Sequence, residues 1–434
     1  MESAKGAVAI DQDLFCLTER HRAIARRATE LAQRFAERAP AHDRAGTFPM
    51  ENIADLHRSG HSNLTIPREY GGEGGGVYEM VLAQSYLARG DASTALAIGW
   101  HLFKLGQLAE TRPWDEAVYA RVCREAVEQG HLINAAVSEP ETGSPSRGGR
   151  PTTTAREATA RAEGTGGNAG TGDAGRAGGA RGTGAAGGWV LNGRKNFTSM
   201  APALHYFQVS AAIEGSEANG WFLIERGTPG LRIDETWDTI GMRGTGSHDL
   251  VLEEVAVPAD SLVQRFGKGV PAEGPPGGGS GWNLHIPAVY LGIAEAARTF
   301  ALNFAVRHRP NSLSTAISEL PHIQAQIGQM ELGLLPARTL LFTLARRWDE
   351  EPGQRPALMA QVAGAKPFVV NTALETVDRA MRIVGAQSLF RSLPLERYYR
   401  DVRAGLHNPP MEDAAIMQMA RAALRQVAIE ADSP

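Results

Sequence analysis

The stretch TIGMRGTGSHDLVLEEVAVP, residues 239–258, decides the fold. Its first half is a turn, GMRGTG, with glycine at 241, 244 and 246. Its second half is short and rich in β-branched residues and stops at a proline, which predicts a strand leaving that turn. LINAAVS (132–138), WVLNG (189–193), HYFQVSAA (205–212) and GWFLIE (220–225) share this texture and are separated by Gly, Asn and Pro turns. Together they predict an antiparallel, barrel-like β-domain over 131–265. An insertion at about 157–188 interrupts it. Residues 163–188 hold 12 glycines and almost no large apolar side chain, too little buried surface to offset ordering entropy, so disorder is expected there. Those glycines lack the strand–loop–helix setting that cradles phosphate.

Upstream the periodicity is helical. Ile24, Ala28, Leu31 and Phe35 recur on one face, Ile53 and Leu56 follow Pro49, and PREYGGEGGG (67–76) breaks the pattern before it resumes near Tyr78. Asp91 is placed to cap ASTALAIGWHLFKLGQLA (92–109), so apolar that it must be buried. Residues 1–130 therefore predict an N-terminal α-helical domain. Beyond a second joint, PAEGPPGGGSG (271–281), helical patterns cover about 283–308, 320–349, 356–385 and 411–428. They predict a C-terminal four-helix bundle over 283–434, with Pro367 kinking or breaking the third helix. The class is α+β.

A chain of 434 residues exceeds one ordinary core, and 43% hydrophobic with 21% charged residues is the balance of a globular protein. A net charge of -4 gives no basic footprint for nucleic acid. Cys16 and Cys123 are too few for a disulfide framework or a zinc site, and the 12 histidines show no ligand spacing, so no metal is expected. No apolar run approaches the roughly 20 residues of a membrane span, and the start MESAKGAVAI has no signal-like stretch, so a cytoplasmic location is expected.

Five segments occur in order: IPREYGGEGG (66–75), AAVSEPETGS (135–144), WVLNGRKNFTSMA (189–201), the opening stretch, and RIVGAQSLFRSLPLERYYRD (382–401). Over nearly the whole chain they resemble the acyl-CoA dehydrogenase superfamily. The resemblance implies FAD, or FMN if the chemistry is monooxygenation, in a homotetramer that takes a small-molecule substrate, an acyl-CoA above all. It also implies an electron acceptor or a flavin reductase as partner. It assigns Ser138 and Ser144 to the flavin and the substrate tail, Phe197 to a flavin face, Ser199 (Thr198 as a one-residue alternative) to flavin N5, and Arg243 and Thr245 to the substrate side. Contacts to a neighbouring subunit's flavin fall to Arg307 or Arg309, to Arg382 and to Gly385, where the spacing departs from the family pattern.

Dehydrogenation of an acyl thioester needs a carboxylate that takes the α-proton as hydride leaves for N5. RDVRAGLHNPPMEDAAI (400–416) lacks one at the family register, where Pro409 or Met411 stands, with Glu412 next to it. The alternative register at the start of the first C-terminal helix holds Trp282 and Asn283. His407-Asn408-Pro409, with His101 on the buried N-terminal helix, instead resembles the flavin monooxygenases of the superfamily, such as dibenzothiophene monooxygenase. The catalytic candidates are Glu412, His407 and His101. The open choices are an acyl-CoA dehydrogenase, a two-component flavin monooxygenase using reduced flavin and oxygen, and a non-catalytic flavin-binding member.

Overall fold

The computed structural model describes residues 10, 12–142, 149–158, 187–267 and 280–431. The glycine-crowded insertion predicted to be disordered lies almost wholly outside them, as does Ser144.

Among the described residues five α-helices come first: α1 (Glu19–Ala45), α2 (Met50–Arg58), α3 (Val77–Ala88), α4 (Ala92–Thr111) and α5 (Glu116–Gln129). The cap residues explain their starts. Thr18 accepts from His21 N at the head of α1, and Asp91 accepts from Ser93 N and Thr94 N at the head of α4. α1 buries Ile24, Ala28, Leu31 and Phe35, the stripe read from the sequence. α3 buries every residue but Glu79, so it is a core element and not a surface helix. Each large apolar side chain fully buried in this way contributes about 1.5–3 kcal/mol.

Eight strands follow: β1 (Ile133–Ala136), β2 (Thr154–Glu157), β3 (Gly188–Thr198), β4 (Tyr206–Ile213), β5 (Ala218–Glu225), β6 (Leu231–Asp234), β7 (His248–Pro258) and β8 (Leu262–Gly267). They form one sheet in the order β6-β7-β3-β2-β4-β5-β8, with β1 also on β4. The sheet is mixed where an antiparallel one was expected. β1 pairs in parallel with Tyr206–Val209, and β2 in parallel with Ala212–Ile213, so the two short strands lie end to end along one edge of β4. The chain between them makes an excursion out of the sheet, and that excursion carries Ser138. A second irregularity sits on β3. Its register with β7 shifts between Lys195 and Thr198, and Phe197 in the bulge has φ 54°. Bulges of this kind re-aim a side chain, and a left-handed φ is costly for a bulky residue.

The C-terminal unit comprises α6 (His285–Arg307), α7 (Pro321–Glu350), α8 (Arg355–Val384), a short α9 (Leu395–Val402) and α10 (Glu412–Ala431). α8 runs unbroken through Pro367, contrary to a predicted break. Val362, Ala363, Ala365, Lys366, Val369 and Val370 are buried around that point, so tertiary packing overrides the missing N–H. Helices α5 and α9 were not anticipated; the first starts on an Asp115 cap and the second is only eight residues long.

Candidate functional site

The base of the site is set by Glu139. Its carboxylate is fully buried against the equally buried Lys195 ammonium of β3, and it also accepts from Thr152 N (2.7 Å), Thr153 N (3.0 Å) and the Thr152 hydroxyl (2.9 Å). Lys195 Nζ reaches Ser210 Oγ on β4 as well, at 3.1 Å. These contacts hold the Glu139 carboxyl ionised down to about 2 although burial opposes the charge. They pin both ends of the excursion between β1 and β2, and Asn196 N donates to Ser138 O at 2.9 Å, which places Ser138 beside the bulge.

Above this clamp lies a ledge. Phe197 is 61% exposed and packs edge-on against Trp237, with ring centroids 6.0 Å apart. The Trp237 Nε1–H donates to Met242 O at 3.0 Å, so the aromatic wall is tied to the 241–246 turn. Two residues beyond Phe197, the Ser199 hydroxyl contacts Ser247 Oγ at 2.9 Å, Ser247 Oγ contacts Thr245 Oγ1 at 2.8 Å, and Thr245 Oγ1 donates to Met242 O at 3.0 Å. Three hydroxyl hydrogens serve three contacts. Either oxygen can donate in the two hydroxyl–hydroxyl contacts; where the Thr245 proton goes to the Met242 carbonyl, Ser247 donates to Thr245 and Ser199 to Ser247, and Ser199 then offers lone pairs to a ligand. Thr198, fully buried, has a hydroxyl with no partner.

The 400–412 segment faces the same turn. The buried Asp401 carboxylate accepts from Met242 N at 2.6 Å, and burial pushes its pKa up to about 7. Arg400 ion-pairs with Asp43 and Glu396, fixing α9 to α1. Beyond α9, the Asn408 side chain accepts from the Tyr290 hydroxyl of α6. His407, next to it, is exposed. Glu412 opens α10, and its carboxylate accepts from Asn371 Nδ2 of α8 at 3.0 Å and lies in the field of Lys366. Lys366 is 2% exposed and burial lowers its pKa to about 8.

The structure thus brings together Ser138, Phe197, Thr198, Ser199 and Thr245, and links them to the 400–412 segment through Met242. It does not do the same for the other predicted residues. The His101 ring is fully buried and both nitrogens contact backbone, Nδ1 accepting from Ile133 N (3.2 Å) and Nε2 meeting Ser62 O (3.2 Å). It pins α4 to β1, and burial holds the imidazole neutral, down to about 4. Arg243 is likewise committed, to Asp43 O (2.7 Å), Thr239 O (2.7 Å) and Asp238 (3.0 Å), and braces the turn. Arg309, Arg382 and Gly385, expected at a neighbouring subunit's flavin, are exposed at or just beyond the C-terminal ends of α6 and α8. At 1.5 Å per residue α6 carries the chain about 33 Å from His285 before Arg309 is reached. Sequence reading missed Ser247, Trp237 and Asp401. Ser247 stands inside the quoted stretch, and its signal was the run of hydroxyl residues spaced through a tight turn.

An exposed aromatic ring in a strained bulge, an orphaned buried hydroxyl beside it and a hydroxyl presenting lone pairs fit a planar, largely apolar ring system with a polar edge, which is what a flavin requires. Fold and ledge together define the class: a three-part protein, helical, β and helical in turn, whose sheet carries an aromatic and hydroxyl ledge beside the C-terminal unit. Comparison with known proteins supplies the family. Models of the acyl-CoA dehydrogenase N-terminal, middle and C-terminal domains match residues 18–109, 134–255 and 284–408, and the chain belongs to the acyl-CoA dehydrogenase family. It is 47% identical to YdbM of Bacillus subtilis (strain 168), named provisionally as an acyl-CoA dehydrogenase, over 94% of this chain and 98% of that one. It is 28% identical to L-evernosamine nitrososynthase of a Micromonospora species, over 86% of this chain and 82% of that one. Among solved structures, FMN-bound TdsC from Paenibacillus sp. A11-2 superimposes with a TM-score of 0.76 at 25% identity, covering 93% and 98% of the two chains. Among the described residues no helix is long and apolar enough to cross a membrane.

Proposed function

We propose that this chain is a flavin-dependent oxidoreductase whose 400–412 segment serves oxygen chemistry with reduced flavin, and not α,β-dehydrogenation of an acyl-CoA. The observation that carries this reading is the engagement of Glu412. The nearest carboxylate to the family register is hydrogen-bonded to Asn371 and balances the buried Lys366 charge, so it is held by its own fold and not poised to take an α-proton. The direction of the hydroxyl chain supports the same reading. Ser199 offers lone pairs, which match the N5–H of a reduced flavin, a hydrogen-bond donor. A bound reduced flavin, FMN or FAD, would supply two electrons to oxygen, one atom entering the substrate and the other leaving as water. Phe197 and Trp237 would exclude bulk water from one face, and His407 and Asn408 are the polar groups of the facing loop. A separate reductase is the partner that regenerates the flavin. The exposed Leu332, Leu335, Phe368, Leu389 and Phe390 of the C-terminal unit support assembly into an oligomer, a homotetramer in this proposal.

The second reading, acyl-CoA dehydrogenation with Glu412 as base, is favoured by the name of the 47% identical relative. One experiment separates the two. The flavin-loaded protein is mixed anaerobically with a panel of acyl-CoA thioesters while the flavin absorbance is followed, and oxygen uptake is then measured with reductase-supplied reduced flavin. The expected outcome is no bleaching by any thioester and oxygen uptake that His407→Ala lowers more than Glu412→Gln. Bleaching by a thioester that Glu412→Gln abolishes would overturn the proposal. If neither activity is seen while flavin binds, the non-catalytic reading stands.

A further inference from the structure

Four arginines, Arg44, Arg243, Arg391 and Arg400, line a cavity of about 370 Å³ between the end of α1, the 239–243 turn and the chain around α9. The lining holds one carboxylate, Asp43, and that one is spent. Its two oxygens accept from Nη1 (2.8 Å) and Nη2 (2.6 Å) of Arg400, whose Nε donates to Glu396 at 2.8 Å. Arg243 uses Nε and Nη1 on Asp43 O, Thr239 O and Asp238, and its Nη2 makes no hydrogen bond among the described residues. Gly46, in the left-handed conformation just past α1, leaves room for that nitrogen: a Cβ there would lie 2.8 Å from it. Arg44 and Arg391 are exposed, and among the described residues neither has a hydrogen bond or an ion pair. Two uncompensated charges of one sign are thus brought to one cavity from positions 347 residues apart (44 to 391). The dipole at the C-terminus of α1 accounts for a cation at 44 and not for the second. Solvent screens their repulsion, so the pair can stand empty, and a doubly charged anion entering between them meets its full complement.

The unspent donors say which anion. Two whole guanidiniums and the Nη2 of a third offer forked N–H groups that match phosphate oxygens, and two uncompensated positive charges match the charge of a phosphate ester, about -1.5 to -2 at pH 7. A carboxylate would leave one of the two arginines unbalanced. The cavity falls within the range of roughly 300–1,000 Å³ usual for small-molecule sites, and a bare phosphate would not fill it. Ile240, in the lining and 68% exposed, offers an apolar surface to an organic remainder. The residues expected at a neighbouring subunit's flavin, Arg309, Arg382 and Gly385, take no part in the lining. The cavity is tied to the ledge through its turn: Met242, next to Arg243, accepts from the Trp237 indole at 3.0 Å.

We infer that this cavity binds the phosphate group of a small phosphomonoester, held by Arg44 from α1 and Arg391 from the segment before α9, with Arg243 Nη2 as a further donor. The site goes beyond the reaction proposed above and does not depend on it. Isothermal titration calorimetry at low ionic strength, on the full chain with the flavin it carries, tests it with AMP, ribose 5-phosphate, inorganic phosphate and adenosine. At least one of the two esters should bind saturably and more tightly than inorganic phosphate, and adenosine should not bind. Arg44→Gln and Arg391→Gln should each weaken the ester about tenfold, the worth of one charge-assisted hydrogen bond. Arg425→Gln, which removes an exposed arginine of α10 outside the cavity, should change nothing. Flavin content per folded molecule, read from its absorbance, should be the same in all three variants. Absence of saturable binding by both esters, unchanged affinity in the two cavity variants, or an equal loss in Arg425→Gln would each overturn the site and leave the arginines as solvated charges. Inorganic phosphate binding as tightly as the esters would overturn the ester in favour of the free anion. Flavin lost from the cavity variants would overturn it in favour of the cofactor's own phosphate.

Discussion

Two buried lysines, each set against a glutamate, lie beneath the two halves of the site, and they are built differently. Under the ledge, Lys195 and Glu139 are both fully buried, and backbone N–H groups from two successive threonines complete the carboxylate's shell. Under the facing loop, Lys366 is buried but Glu412 is only partly so, with a single side-chain amide donor at 3.0 Å. The first arrangement is closed: no further group is needed, and its work is to hold the Ser138 excursion and the Phe197 bulge. The second is open on one side. The rigid half of the site is the one that would hold the cofactor, and the looser half is the one whose chemistry is in question. A third buried lysine, Lys104, sharpens the contrast, because its ammonium lies near the rings of Phe103 and Trp221, at 5.6 and 5.7 Å from their centroids.

The largest expected effect comes from breaking the closed pair. Lys195→Met leaves a carboxylate buried without its cation and should cost about 3–5 kcal/mol, read as a fall in the urea midpoint at pH 7. If the cost is under 1 kcal/mol, the pair is not a clamp and the contrast fails. The two halves should also respond to pH in opposite senses. Glu139 is depressed to about 2 from 4.5, so its contribution is present above pH 4.5 and is lost as pH falls toward 2. Asp401 is raised to about 7 from 3.8, so its contribution is complete below pH 3.8 and is lost as pH rises through 7. Asp401→Asn should flatten the loss of stability between about pH 4 and 7. A thermal melt series across pH checks both limbs.

Next in size is His101→Leu, which orphans Ile133 N and Ser62 O and should cost about 2–3 kcal/mol in the same assay. Flavin retention per folded molecule should be unchanged, since the ring pins α4 to β1 and does not touch the ledge. A loss of flavin without a loss of stability would return His101 to the site.

How far the sequence carried the argument follows from the same contrast. Short motifs encode the ledge because strand, bulge and turn are local, and Phe197, Ser199 and Thr245 fall within a few residues of the glycines that shape them. The Asp91 cap and the stripe of α1 were legible for the same reason. The parallel placement of β1 and β2 was not, because it depends on both strands finding one edge of β4, 73 residues on from β1 (133 to 206) and 58 on from β2 (154 to 212). His101 misled because an apolar helix with one histidine reads alike whether the ring serves a ligand or two backbone groups. Pro367 does not break α8, because packing on both sides of the helix outweighs a single lost hydrogen bond. The partners of Glu412, Asn371 and Lys366, come from a helix more than 40 residues away, so the loop's own sequence could not show that the carboxylate was taken.

A smaller effect isolates the ledge. The Thr198 hydroxyl is buried without a partner, so Thr198→Val, equal in shape, should leave stability unchanged or raise it by about 1 kcal/mol. If that hydroxyl waits for a flavin, the same variant should release flavin more readily on dialysis, and retention equal to the wild type would remove Thr198 from the cofactor site.

The smallest effect is expected at the open pair, and its pH dependence shows why. Glu412→Gln keeps the acceptor for Asn371 and removes only the charge opposite Lys366. Burial already lowers Lys366 to about 8, with Glu412 the group that resists that fall, so the variant's lysine should release its proton at a still lower pH. A base whose folded pKa lies below its unfolded value binds fewer protons when folded, and stability therefore rises with pH across that interval. The variant should be less stable than the wild type by about 1 kcal/mol or less at pH 7, where Lys366 is still charged in the wild type. The deficit should shrink by pH 9, where both lysines are neutral in the fold. A deficit that instead matches Lys195→Met and persists at pH 9 would make the two pairs equivalent and end the contrast between them.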